Sequence, residues 1–95
     1  MTPEVKVKNK VKKILDSLGC YHFSPLSGGY GRSGVPDIIA CYNGLFIAIE
    51  CKAGKGKLTE LQKYNIEQIQ ATGGLAIVIN ESNIEELLTQ LKEVI

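Results

Sequence analysis

Asp37, Glu50 and Lys52 are the residues of this 95-residue chain whose types and spacing could do chemistry. Asp37 to Tyr42 and Leu45 to Lys52 are two largely apolar, strand-like runs, and Asn43-Gly44 between them is a strong signal for a two-residue hairpin turn. With that turn Tyr42 faces Leu45, and the same register sets Asp37 directly across from Glu50. Opposed residues in an antiparallel pair share a face with Cβ atoms ~4.5–5.5 Å apart, and like charges there are destabilising. Lys52, two residues beyond Glu50, points to the same face. Two facing carboxylates on an otherwise apolar hairpin call for a cation. The natural occupant is a hard divalent ion with oxygen ligands, Mg²⁺ or Mn²⁺. The peptide carbonyl of Cys51 lies between Glu50 and Lys52 and offers another oxygen. An isolated E-x-K is ordinarily a surface pair, with the aspartate capping a turn after Pro36. That plainer reading leaves the facing acids unexplained.

The elements that must hold these residues can be read from caps and periodicity. Thr2-Pro3-Glu4 is a helix start, with a hydroxyl cap, a proline whose missing N–H costs nothing, and an acid in the first turn. Val7, Val11, Ile14, Leu15 and Leu18 follow at helical spacing, and Gly19 stops the helix. Cys20 to Ser24 is a short strand, and residues 25–36 form a Gly-rich loop closed by Pro36. After a Gly/Lys loop over 53–58, Thr59-x-x-Gln62 is a capping box that opens a helix running to Gly73-Gly74. Leu75 to Ile79 reads as a strand buried on both faces. Ser82-x-x-Glu85 is a second capping box, opening a helix with Ile84, Leu87, Leu88, Leu91 and Ile95 on one face. The predicted order is α-β-β-β-α-β-α, with a right-handed parallel crossover through the second helix into a mixed sheet. The fold class is therefore α/β, a mixed sheet flanked by helices.

Composition narrows the function. Hydrophobic residues are 44% and charged residues 22%, which excludes a disordered tail or a coiled coil. A single domain over residues 1–95 is expected. The longest apolar run, Leu45 to Ile49, is far short of the ~18 residues of a membrane span, so no membrane partner is expected. No apolar segment follows the N-terminal lysines as a secretory signal would require. Three cysteines without a C-x-x-C spacing argue against a disulfide framework and a zinc finger, and point to a reducing cytoplasm. Cys41 shares the face of Asp37 whereas Cys51 opposes Glu50, so the two cannot join one cluster and read as small apolar fillers. His22 has no partner with which to build a triad, which favours a structural or exposed role. Residues 1–57 carry nine Lys/Arg against four Asp/Glu, and residues 58–95 two Lys against six Glu, a polarity that suits a polyanionic partner on one side.

The pattern as a whole resembles the virus-type replication-repair nuclease (VRR-NUC) family of the PD-(D/E)XK nuclease superfamily. The resemblance is carried by Thr2-Pro3-Glu4, Gly29-Tyr30-Gly31-Arg32, Gly34-Val35-Pro36-Asp37, Ile49-Glu50-Cys51-Lys52 and Lys57-Leu58-Thr59-x-x-Gln62, in the family's order across nearly the whole chain. It implies a restriction-endonuclease-like core and metal-dependent hydrolysis of DNA. Asp37 and Glu50 would hold the metal with the Cys51 carbonyl, Lys52 would position or activate water or stabilise the phosphate, and Glu4 would be a direct or water-mediated ligand. Gln62 would support the site through hydrogen bonds. The resemblance implies a phage- or prophage-encoded enzyme in a bacterial host cytoplasm, and single-domain viral members of the family resemble Holliday-junction resolvases in acting as homodimers on branched DNA. A repair- or restriction-type nuclease acting on linear duplex or flaps is the alternative with the same site. A nucleic-acid-binding module with a vestigial site is the alternative of another class.

Candidate DNA contacts lie around this core. Lys55 and Lys57 directly follow the motif strand and are the strongest. Tyr30 and Arg32 either touch DNA and line the site or belong to a permissive surface loop. Lys6, Lys10 and Lys13 share a helical face, ordinarily a solvated stripe, which beside a nuclease site would meet phosphates. Gly29-x-Gly31-x-x-Gly34 formally matches a dinucleotide fingerprint, but Pro36 and a strand follow it where that motif needs a helix.

Overall fold

In the computed structural model, residues 1–26 and 31–93 are described. The chain forms α1 (Pro3–Ser17), β1 (Tyr21–Phe23), β2 (Ile38–Tyr42), β3 (Leu45–Cys51), α2 (Glu60–Ala71), β4 (Leu75–Ile79) and α3 (Ile84–Glu93), in the predicted order. No described helix is long and apolar enough to cross a membrane.

Local chemistry sets most of the boundaries. The Thr2 hydroxyl accepts the Val5 N–H at 3.2 Å, with Pro3 in the first helical turn. Asn43 and Gly44 adopt φ of 51° and 81°, the left-handed pair that a tight hairpin turn demands. That turn fixes the register, Tyr42 opposite Leu45 and Ile38 opposite Ile49, as the sequence predicts. The four strands lie in the order β1-β2-β3-β4, antiparallel except for the β3–β4 pair, which α2 connects as a parallel crossover.

Strand alternation divides the core in two. On one side α1 and α3 bury Val7, Val11, Leu15, Leu87 and Leu91 against Ile38, Ile47, Ile49 and Cys51. On the other, α2 packs Ile66 and Ile69 over Ala48, Ala76 and Val78. Glu50, one residue past Ile49, therefore faces α2. Each buried aliphatic side chain contributes ~1.5–3 kcal/mol, so the two layers hold the β3 terminus firmly.

Three sequence expectations need correction. β4 contributes to both cores, yet it is an edge strand, so only Ala76 and Ile79 are buried and Leu75, Ile77 and Val78 are half-covered. Cys41 is not a filler: it is exposed, because α2 does not extend over the β1–β2 part of that face. The α3 capping box at Ser82 gives way to a pair of asparagines. Asn80 Oδ1 accepts the Ser82 N–H at 2.9 Å, and Asn83 Oδ1 accepts the Asn80 N–H at 2.8 Å, so the helix begins at Ile84. Short amide side chains that bond nearby backbone compete with regular capping. Ile95, expected on the apolar face of α3, lies outside the described residues.

Candidate active site

Asp37 sits one residue ahead of β2, where the antiparallel ladder ends. β3 continues to Cys51 because it is still paired with β4. The Cys51 N–H is left without a β2 carbonyl and donates instead to Asp37 Oδ2 at 2.8 Å. A buried N–H must be satisfied, so this bond fixes the carboxylate at the end of the hairpin. Glu50 follows the register to the opposite position, and only 2% of its surface is exposed. Lys52 Nζ lies 3.9 Å from Glu50 Oε2, and Gln62 Nε2 donates to the same oxygen at 3.4 Å. Glu4 enters from the first turn of α1. One carboxylate oxygen each from Glu4, Asp37 and Glu50 lies within 4.8 Å of the others. The facing acids predicted from the hairpin are thus brought together with Lys52, Gln62 and Glu4.

Burial chiefly, and the hydrogen bond and charge of Asp37 next, push the Glu50 carboxyl up to about 8, while Lys52 pulls the other way. Burial also pushes the Cys51 thiol up to about 12, with Asp37 and Glu50 adding to it. Its sulfur belongs to the apolar core below the sheet. A set of three carboxylates without thiolate or imidazole matches a hard, oxygen-seeking dication rather than zinc.

α2 positions the site through its first two turns. Gln62 Oε1 accepts the Thr59 N–H at 2.9 Å and Thr59 Oγ1 accepts the Gln62 N–H at 3.1 Å, closing the predicted capping box. The remaining amide nitrogen of Gln62 is the one that reaches Glu50. One turn on, buried Asn65 donates to the Ser33 carbonyl at 3.1 Å and so holds the segment leading to Asp37. Gly34 lies against the same turn at φ +76°, and a Cβ there would stand 2.6 Å from Leu61 Cγ.

Sequence reasoning missed two residues here, Asn65 and Lys8. Lys8 Nζ is 3.4 Å from Asp37 Oδ1. The available signal was its i,i+4 relation to Glu4, which puts both on one flank of α1. Lys6, Lys10 and Lys13 line a different cleft, between α1 and the start of α3, with Glu81 and Ile84. Lys55 and Lys57 are exposed on the loop after β3. That loop is tied down by Glu81, both of whose oxygens accept the Gly54 N–H, at 2.9 and 3.1 Å. Arg32 lines a shallow groove with Phe23, Pro25, Val35 and Ile69. Tyr30 lies outside the described residues. His22 pairs with Asp16 at 2.6 Å, away from the acids.

This mixed four-stranded sheet with flanking helices is the fold of VRR-NUC-type PD-(D/E)XK nuclease domains. A solved structure titled "VRR_NUC domain" superposes with a TM-score of 0.72 at 20% identity, over 99% of this chain and 95% of that one. A second, titled "VRR_NUC domain protein", gives 0.68 at 22% identity over 100% of this chain and 89% of that one. No curated protein matches the sequence significantly. The family profile "Archaeal holliday junction resolvase (hjc)" matches residues 5–74, and the chain belongs to this family of nucleases.

Proposed function

We propose that this protein is a Mg²⁺- or Mn²⁺-dependent endonuclease that hydrolyses phosphodiester bonds of branched DNA such as Holliday junctions, as a homodimer, with residues 1–95 working as one nuclease domain. The observation that carries this reading is the set of Glu4, Asp37 and Glu50 oxygens within 4.8 Å, with Lys52 beside them. Membership in the Holliday junction resolvase family supports the branched substrate.

Asp37 and Glu50 would hold the ion, joined by the Cys51 carbonyl and by Glu4 directly or through water. The carbonyl is favoured because a strand residue projects its N–H and C=O to one side, and the Cys51 N–H already points at Asp37. When bound, the ion supplies Lewis acidity to the phosphoryl oxygen and to the attacking water. The Lys52 ammonium, mostly buried beside Glu50, orients that water and offsets charge growing on the phosphate. Gln62 keeps Glu50 turned toward Asp37, and the Cys51 N–H does the same for Asp37. Lys55 and Lys57 would take neighbouring phosphates as the cut strand leaves the site, while Lys6, Lys10, Lys13, Arg32 and Tyr30 would contact DNA further out. Supporting a homodimer is the sheet face that no described helix covers, carrying exposed Tyr21, Phe23 and Phe46, since contiguous apolar surface of this kind marks association sites. Two sites related by a two-fold axis suit paired nicks in a junction.

The test is cleavage of a synthetic four-way junction against a linear duplex of the same sequence, with Mg²⁺ or Mn²⁺. Paired nicks in the junction are expected from the wild type, with activity abolished in Asp37→Ala, Glu50→Ala and Lys52→Ala. Equal cutting of the linear duplex would point to a repair- or restriction-type enzyme. Binding without hydrolysis under either metal would overturn the enzymatic reading.

A further inference from the structure

Lys8 gives the acidic cluster a cation of its own. Of the two Asp37 oxygens, Oδ2 is committed to the Cys51 N–H, and the other, Oδ1, faces Lys8 Nζ at 3.4 Å. Lys8 and Glu4 stand one turn apart on α1, so the helix that delivers an acid to the cluster also delivers this ammonium. The two lysines of the site differ in how they are held. Lys52 extends from the end of a sheet strand with 16% of its side chain exposed, beside Glu50. Lys8 reaches in from a helix flank on a flexible four-carbon stem, with 32% of its side chain exposed. With Oδ2 already accepting the Cys51 N–H, Oδ1 is the freer oxygen of Asp37 for a dication, and two cations at contact distance on that carboxylate repel one another strongly.

Building on the nuclease reading, we propose that Lys8 is an internal counter-cation that neutralises Asp37 in the metal-free protein and is exchanged for the divalent ion when the ion binds. Lys8 thereby keeps the carboxylates assembled without metal, and it raises the metal concentration at which the site fills. It is a positioning residue acting through Asp37.

Calorimetric titration of Mn²⁺ into the metal-free wild type, Lys8→Met, Lys8→Arg and Lys13→Met tests this, with thermal melts recorded with and without the ion. Lys13 is the exposed control on the far flank of α1. Lys8→Met is expected to bind Mn²⁺ about tenfold more tightly, the order that follows from removing one unit charge a few ångströms from the ion. Without metal it should melt at lower temperature than the wild type, with the gap closing when Mn²⁺ is added. Lys8→Arg should stay near the wild type, and Lys13→Met should shift affinity less than about twofold, as a screened surface charge does. If methionine impairs folding, Lys8→Gln carries the same test. Unchanged or weaker Mn²⁺ binding in the charge-removing variants Lys8→Met and Lys8→Gln would overturn this exchange while leaving the nuclease reading intact. A wild type that takes up no Mn²⁺ would overturn both.

Discussion

Glu50 keeps a carboxyl group in the interior of a small protein, opposite a second one, with two partial compensations: an ammonium 3.9 Å away and an amide N–H at 3.4 Å. Neither is close enough to cancel the burial, which is why its proton is held to about pH 8. The consequence for stability has a definite sign. Between the ordinary value of 4.5 and about 8, the metal-free folded protein binds a proton that the unfolded chain has released. Stability contributed by that proton is complete at low pH and is lost as pH rises through 8. Urea unfolding in EDTA at pH 5 and pH 8 should show the wild type losing on the order of 2–4 kcal/mol more than Glu50→Gln across this window. A parallel pH dependence of the two proteins would contradict the facing-acid geometry. Asp37, Glu50 and Lys52 were legible in the sequence because a two-residue turn converts spacing into position. Lys8 was not: the first helix carries five lysines, and residue type alone does not say which one the packing of Val7, Val11 and Leu15 will turn toward the acids.

At the scale of elements, α2 is the clamp. Its capping glutamine holds Glu50, its buried Asn65 holds Ser33, and its first turn leaves no room for a side chain at residue 34. The Gly34→Ala methyl group would meet both Leu61 and a left-handed backbone. Each effect costs ~1–3 kcal/mol. Gly34→Ala should therefore lower unfolding stability by ~2–4 kcal/mol and reduce cleavage more than DNA affinity, since it displaces the segment leading to Asp37 while leaving the lysines in place. Denaturant melts with paired binding and cleavage assays check this, and a fully active Gly34→Ala would contradict the clamp. The hairpin, the α1 cap and the α2 capping box were legible because each is decided by residues within a few positions of one another. The start of α3 was misread because two asparagines satisfy one another more readily than Ser82 caps the helix. The edge position of β4 was not legible either, since an apolar run states that a strand is covered by helices and not what lies beside it.

For the whole molecule, one sheet organises everything. Its two helical layers leave the end of the central hairpin as the place where Glu4 and Lys8 of α1, Gln62 of α2, Glu50 of β3 and Asp37 just ahead of β2 meet in a single cluster. Residues 1–57, with nine Lys/Arg against four Asp/Glu, supply every charged member of that cluster, and α2 adds Gln62. The apolar face of β1 and β2 that no described helix covers lies on the same side of the sheet as Glu50. The proposed function presupposes that the three carboxylates are a binding site for a dication. The most direct check is anomalous scattering from crystals soaked in Mn²⁺, where a peak is expected within coordination distance of oxygens of both Asp37 and Glu50. A crystal that shows manganese elsewhere, or none between those two side chains at millimolar concentrations, would contradict it.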